Sequence, residues 1–129
     1  MTYKNLIGMT DAAEEFVTEK NLADALGSGS LKVFATPAMI RLIENAAAGL
    51  VEKNLPTELT SVGIALNVKH TAPTPLGMKV RAEVKIISVD GRKIIFEVVA
   101  FDERGEIGRG THERFIVERK KFQHKADSK

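Results

Sequence analysis

The sequence contains no cysteine and no tryptophan, and aromatic residues make up only 5% of its 129 residues. The absence of cysteine excludes disulfide bonds, thiolate metal sites and a cysteine nucleophile. No apolar run approaches the ~18 residues that a membrane-spanning helix needs. The N-terminal stretch also lacks the basic flank and the apolar segment of a signal peptide, so we expect a cytoplasmic protein.

The chain also lacks a strong excess of charge of one sign. Its 19 basic and 17 acidic residues give a net charge of +2, which does not indicate a nucleic-acid partner. The last stretch, ERKKFQHKADSK, is locally basic. That composition is typical of a solvated, fraying tail, and the alternative is a contact for an anionic ligand such as a nucleotide phosphate.

The length fits one domain, and a hydrophobic content of 43% is enough for a real core. We therefore interpret residues 1–129 as a single domain, with residues 1–10 and 120–129 at its periphery or flexible. The sequence has no internal repeat and no low-complexity segment.

The best helical pattern covers residues 37–53. Thr36 is a natural N-cap residue, and Pro37 suits the first helical position because its missing N–H costs nothing there. Helical spacing predicts one broad apolar face, made by Met39, Ile40, Ile43, Ala46, Ala47, Leu50 and Val51.

The remaining periodic segments indicate β-strands. Residues 78–86, MKVRAEVKI, alternate apolar and charged side chains, as in a strand with one wet face. An Asp-Gly pair in the next turn predicts a hairpin. The predicted strands are residues 12–19, 61–72, 78–86, 93–101 and 107–119. Residues 21–30 begin with a short helical turn and end in the flexible LGSGS.

The resulting order, β-α-β-β-β-β, places one long helix against a mostly antiparallel sheet. The helix contains AAAG at positions 46–49, and such small side chains let a sheet approach closely. The pattern predicts an α+β architecture, the hot dog fold, in which a curled sheet wraps a central helix. Such a sheet leaves an edge strand that a second copy can cover, so we expect a homodimer.

Three polar residues are candidates for chemistry. The Thr36 hydroxyl either only caps the helix or also faces a substrate carbonyl. Glu44 is either a boundary carboxylate or a carboxylate in a partly dry pocket, where its pKa would be raised. His70, at a strand end before Pro73, is either an edge histidine or a general base. Because Thr36 and Glu44 lie about 80° apart around the helix, both can face one cleft.

The segment GTHER adds two further candidates. Strand alternation puts His112 and Arg114 on the face opposite Glu113. Arg114 either forms a salt bridge or binds a phosphate or carboxylate. The histidines show no metal-ligand spacing such as HExxH, and the chain has no P-loop and no GxGxxG, so we expect no metal and no cofactor.

Three segments together resemble the fluoroacetyl-CoA thioesterase family of hot dog proteins. They are VFATPAMIRLIENAA (33–47), SVGIALNVKHTAPTPLGMKVRAEVKI (61–86) and GTHERFIVE (110–118). The resemblance extends from about Phe34 to Lys121. It implies hydrolysis of an acyl-CoA thioester to free acid and CoA, with CoA as part of the substrate.

The resemblance also implies roles for individual residues. The catalytic set would be Thr36, Glu44 and His70. The substrate-binding set would be Gly63, Arg114 and Phe34. The glycine would let the acyl group approach the backbone and would offer its amide to the thioester oxygen, and the arginine would support the site. Candidates for the CoA phosphates are Arg41 and the lysines of the tail.

One segment departs from the family. Members specialised for fluoroacetate have aromatic residues in a lid before the helix, but here ALGSGSLKVF has none until Phe34. A short or medium acyl group is therefore expected. The alternatives are a non-catalytic acyl-CoA or acyl-carrier binding protein of the same fold and, less favoured, a hydratase, whose Asp/His pair the matched motifs lack.

Overall fold

The computed structural model describes residues 2–129. The strands are β1 (Thr10–Phe16), β2 (Leu59–His70), β3 (Lys79–Asp90), β4 (Lys93–Asp102) and β5 (Gly105–Glu118). The helices are α1 (Ala23–Leu26), α2 (Thr36–Glu52) and α3 (Arg119–Asp127), and short 3-10 helices cover Lys4–Leu6 and Glu19–Asn21. Over residues 2–129, no helix is both long and apolar enough to cross a lipid bilayer.

The five strands form one antiparallel sheet in the order β1-β3-β4-β5-β2. The strands β1 and β2 are therefore its two edges. The pairing of β2 with β5 runs from Leu59 opposite Glu118 to His70 opposite Gly108, and its register shifts between Gly63 and Ala65. Such a shift bends a strand and re-aims its side chains, and this one begins at Gly63, beside Glu44.

One face of α2 packs against the sheet and makes the centre of the core. Its buried residues are Ala38, Met39, Leu42, Ile43, Ala46, Ala47, Leu50 and Val51. The predicted apolar face is confirmed except at Ile40, which is half-buried, and it is wider than predicted because Ala38 and Leu42 are also buried. The predicted alternation of β3 is confirmed by the buried residues Val80, Ala82, Val84 and Ile86.

The start of α2 differs from the prediction. The helix begins at Thr36 itself, Ala35 occupies the N-cap position, and no side chain caps the helix. The predicted capping role of Thr36 is therefore wrong. The reason is that its hydroxyl hydrogen-bonds to His70 and does not turn back to an amide of its own helix.

The two ends of the chain also differ from the prediction. Leu6, expected at the periphery, is 1% exposed and lies in the core, and the N–H of the nearby exposed Gly8 donates to the carbonyl oxygen of Ile86. At the other end, the expected fraying tail is helix α3, whose residues are all exposed. Its Arg119 lies 3.1 Å from Glu52 and ties the helix to α2.

The close approach of β5 to β2 depends on Gly110. A Cβ there would contact the carbonyl oxygen of Asn67 and lie 2.7 Å from the Cα of Val68, and both are backbone atoms that cannot rotate away. We expect Gly110→Ala to lower the free energy of unfolding by about 3 kcal/mol. The measurement is thermal or urea unfolding.

The matched control is Gly49→Ala in α2, where an added Cβ has nothing within 4 Å. That substitution removes a flexible residue from a helix, so it should raise the free energy of unfolding by about 0.5–1 kcal/mol. A Gly110→Ala protein as stable as the wild type would contradict the described pairing of β2 with β5.

Candidate active site

A hydrogen-bonded pair joins the start of α2 to the end of β2. The Oγ1 atom of Thr36 lies 2.7 Å from Nδ1 of His70. Thr36 is exposed and His70 is half-buried, so a ligand can reach the pair. A hydroxyl within hydrogen-bond distance of an imidazole is the arrangement that activates a nucleophile, because the ring can accept the hydroxyl proton.

The surroundings of His70 favour the neutral form of its imidazole. Burial lowers the pKa of His70 below its ordinary value, and a smaller interaction with the backbone of Ala72 raises it. A neutral ring has a lone pair that can take up a proton. Within residues 2–129, the buried Nε2 of His70 has no hydrogen-bond partner. Buried polar atoms are normally paired, so this nitrogen is suited to a group from outside the chain.

A cavity of about 390 Å³ lies beside the pair. Thr36 and His70 line it together with Phe34 and the loop of residues 28–31. Phe34 is 1% exposed and therefore forms a fixed apolar wall. Phe34, which we predicted to contact the substrate, therefore lines the cavity next to the hydroxyl and the imidazole.

Glu44 belongs to a second polar cluster, further along α2. Its Oε2 lies 3.3 Å from Nη1 of Arg114 and 4.0 Å from Nε2 of His112. A Cβ added at Gly63 would lie 2.6 Å from the same oxygen, so only glycine fits there while Glu44 holds this position. The structure therefore brings together three of the predicted residues, Glu44, Gly63 and Arg114.

Arg114 is the buried cation of this cluster, at 6% exposure. Its Nε donates to Oγ of Ser61 at 2.8 Å, and its Nη2 donates to the carbonyl oxygen of Ser61 at 3.1 Å. Burial lowers the pKa of Arg114, and the charge of Glu44 opposes that shift. The paired guanidinium is a fixed positive charge beside the carboxylate.

Ser61 was not among the residues singled out from the sequence. Strand alternation places it on the same face of β2 as Gly63, and its register partner on β5 is Ile116, two positions from Arg114. The alternation can be seen in the sequence. Only the pairing of β2 with β5 shows that the guanidinium of Arg114 reaches Ser61.

The two clusters are separate within one chain. Thr36 and Glu44 are eight residues apart, which is about 12 Å along the helix axis. Gly63 and His70 are seven residues apart on β2, roughly 20 Å along the strand. The expectation that Thr36 and Glu44 share a cleft is therefore not met inside a single chain, because the helical rise separates residues that the helical angle places on similar faces.

The basic side chains proposed for phosphate contacts lie on the surface. Arg41 is 3.8 Å from Glu15 and mostly exposed, and the tail lysines lie on or just after α3. A group of three or more histidine or carboxylate side chains that could hold a metal ion is not found over residues 2–129.

Comparisons with known proteins agree with this geometry. The family model described as fluoroacetyl-CoA-specific thioesterase, FlK, matches residues 17–120. The fluoroacetyl-CoA thioesterase of Streptantibioticus cattleyicolor is 40% identical over 98 residues, which cover 76% of this chain and 70% of that protein.

Solved structures show the same architecture. A structure of the fluoroacetyl-CoA thioesterase FlK matches with a TM-score of 0.89 at 32% identity, over 95% of this chain and 96% of that one. A hot-dog-like protein from Thermanaerovibrio acidaminovorans matches with a TM-score of 0.89 at 22% identity, over 99% of this chain and 96% of that one. Because its identity is low, the second match is evidence for the fold alone. Together the two matches confirm the predicted hot dog fold. By its sequence and its structure, the chain belongs to the FlK family of fluoroacetyl-CoA-specific thioesterases.

Proposed function

We propose that this protein hydrolyses a short or medium acyl-CoA thioester to the free acid and CoA, with Thr36 and His70 at the reaction centre. The observation that carries the proposal is the 2.7 Å contact between the two side chains beside a cavity of about 390 Å³. The relatives named above are thioesterases that act on fluoroacetyl-CoA, which supports the same bond as the target.

The chemistry follows from the pair. His70 accepts the proton of the Thr36 hydroxyl as the oxygen attacks the thioester carbonyl, and the resulting imidazolium donates that proton to the departing CoA thiolate. Water then attacks the acyl-threonine ester with His70 again as the base, which releases the acid and restores the hydroxyl. A neutral imidazole is the form that this cycle needs at its start.

The developing negative charge on the thioester oxygen needs hydrogen-bond donors. The Gly63 amide is suited to this task because the residue has no side chain and lies on an exposed edge strand. Glu44 can orient a water molecule for the second step, and Arg114 keeps the carboxylate in place at 3.3 Å.

A homodimer would bring the two clusters together. β2 is an edge strand, and its residues Ile64 and Leu66 are 51% and 40% exposed. An edge strand with exposed apolar side chains tends to pair with another chain. Suppose that β2 pairs antiparallel with its own copy, with the two-fold axis between Leu66 and Asn67. His70 of one chain then lies opposite Gly63 of the partner subunit, because both are equally distant from the axis.

In that dimer each site is composite. Thr36 and His70 of one chain face Gly63 and Glu44 of the partner subunit, so the distance of roughly 20 Å within a chain no longer separates the groups. Arg114 accompanies Glu44 through their salt bridge. The same pairing covers the apolar edge of β2.

The wall of the cavity supports a short or medium acyl group. Its loop contributes Ser28, Gly29 and Ser30, which are small, and Leu31, which is 69% exposed. No aromatic ring of this loop narrows the cavity, so there is room for more than a two-carbon acyl group. Acetyl-CoA and longer linear esters are therefore proposed as substrates.

The first test is release of CoA thiol from a panel of acetyl-, propionyl-, butyryl- and hexanoyl-CoA. We expect turnover by the wild type and a loss of at least about 100-fold in kcat/KM for Thr36→Val and for His70→Ala. Thr36→Ser keeps a hydroxyl and serves as the matched control that retains activity.

Two results would contradict the proposal. One is a His70→Ala protein as active as the wild type. The other is binding of CoA esters, seen as a thermal shift, without turnover of any ester, which would favour the non-catalytic binding protein.

The second test is the pH dependence of kcat/KM. The base must be neutral, and burial lowers the pKa of His70 from its ordinary 6.5. Activity should therefore rise with pH through a midpoint below 6.5 and be lost as the pH falls below that midpoint. A midpoint clearly above 6.5 would be inconsistent with His70 as the buried base.

A further inference from the structure

His112 is fully buried on β5, and the reaction described above does not use it. Its ring stacks on Phe96 with a centroid distance of 5.8 Å and an interplanar angle of 25°. Both ring nitrogens have a polar contact. Nδ1 lies 2.9 Å from the carbonyl oxygen of Ala65, and Nε2 lies 3.1 Å from Nη1 of Arg114.

These two contacts define the protonation of the ring. The Ala65 carbonyl can only accept, so Nδ1 carries the proton, and a guanidinium can only donate, so Nε2 offers its lone pair to Arg114. Burial lowers the pKa of His112; the Ala65 carbonyl raises it, Arg114 lowers it further, and Glu44 and Glu113 raise it. The net direction is downward, which agrees with a neutral ring.

The partners of His112 flank the functional glycine. The register of β2 against β5 shifts between Gly63 and Ala65. His112 holds the carbonyl of Ala65 after the shift, and Arg114 holds the carbonyl of Ser61 before it at 3.1 Å. His112 and Arg114 also contact each other, so the two buried side chains together hydrogen-bond to the backbone on both sides of Gly63.

Arg114 also connects His112 to the carboxylate of Glu44. Nη1 of Arg114 contacts Nε2 of His112 and Oε2 of Glu44, at 3.1 Å and 3.3 Å. If the ring were protonated on Nε2, two donors would face each other at this point and the guanidinium would turn away. The neutral ring therefore sets the direction of Arg114 and, through it, that of Glu44.

We propose that His112 is a positioning residue, which links the register shift of β2 to Arg114 and thereby fixes the Gly63 amide relative to the Glu44 carboxylate. The inference rests on the proposed function, because the groups that His112 would position are those assigned to the reaction. It adds a residue to the site that never touches the substrate.

Two variants separate the two contacts of the ring. His112→Asn places an amide near the Nδ1 position, so it keeps a donor for Ala65 and leaves Arg114 without its acceptor. His112→Gln extends an amide toward the Nε2 position, so it keeps an acceptor for Arg114 and leaves the Ala65 carbonyl without its donor. We expect each to lower kcat about 10- to 100-fold, with less than about a twofold change in KM.

Further measurements distinguish positioning from other roles. The midpoint of the acid limb of kcat/KM should be the same in both variants as in the wild type, because His70 sets it. The control is His124→Gln on the exposed helix α3, which should match the wild type. Wild-type kcat in either His112 variant, or a shifted acid limb, would overturn the inference.

Imidazole ¹⁵N NMR of the wild-type protein provides a readout that needs neither activity nor a folded variant. His112 should show a neutral ring protonated on Nδ1 at pH 7, and a ring protonated on both nitrogens would overturn the inference. If the wild type hydrolyses no acyl-CoA, the proposed function fails, and the NMR spectrum still decides whether His112 makes the assigned hydrogen bonds.

Discussion

The packing of α2 against the curled sheet sets the place of every group in the site. Eight residues on one face of the helix are buried, and the alanines among them let the sheet approach closely. With that face fixed, Thr36 must lie at the end of β2 and Glu44 must lie beside Gly63. The rise of about 1.5 Å per residue then keeps the two polar groups about 12 Å apart. The proposed homodimer would unite them by pairing along the exposed apolar edge of β2.

The two polar clusters differ in charge: the cluster of Thr36 and His70 contains a neutral imidazole, and the cluster of Glu44, Gly63 and Arg114 contains a buried cation. At the start of α2, burial keeps His70 neutral, so the ring can accept a proton from Thr36. At Gly63, a buried cation is retained because Arg114 finds Ser61, a neutral imidazole and Glu44 as partners. A buried guanidinium is stable only with such partners, and their number makes this cluster rigid. The proposed reactive pair therefore lies apart from a cluster that many hydrogen bonds hold in place.

Much of this arrangement was predictable from the sequence, because the signals are local. Alternation identified β3, helical spacing identified the buried face of α2, and the strand end placed His70 at an opening. What was missed depends on tertiary contacts. The Thr36 hydroxyl bonds to His70 across the fold instead of capping its helix, and no helix-capping rule includes such a partner. The helix α3 has no apolar stripe, so its periodicity carried no signal. The separation of Glu44 from Thr36 was missed because an angle around a helix ignores the rise along it.

Mixed dimers test the composite site most directly. A His70→Ala chain and a Glu44→Ala chain carrying different affinity tags are expressed together, and the mixed dimer is isolated by both tags. Each parent homodimer should lack hydrolase activity, because both of its sites lose a group. The mixed dimer should recover about half of the wild-type activity, since one of its two sites contains both damaged residues and the other contains neither. A mixed dimer as inactive as its parents would contradict the account.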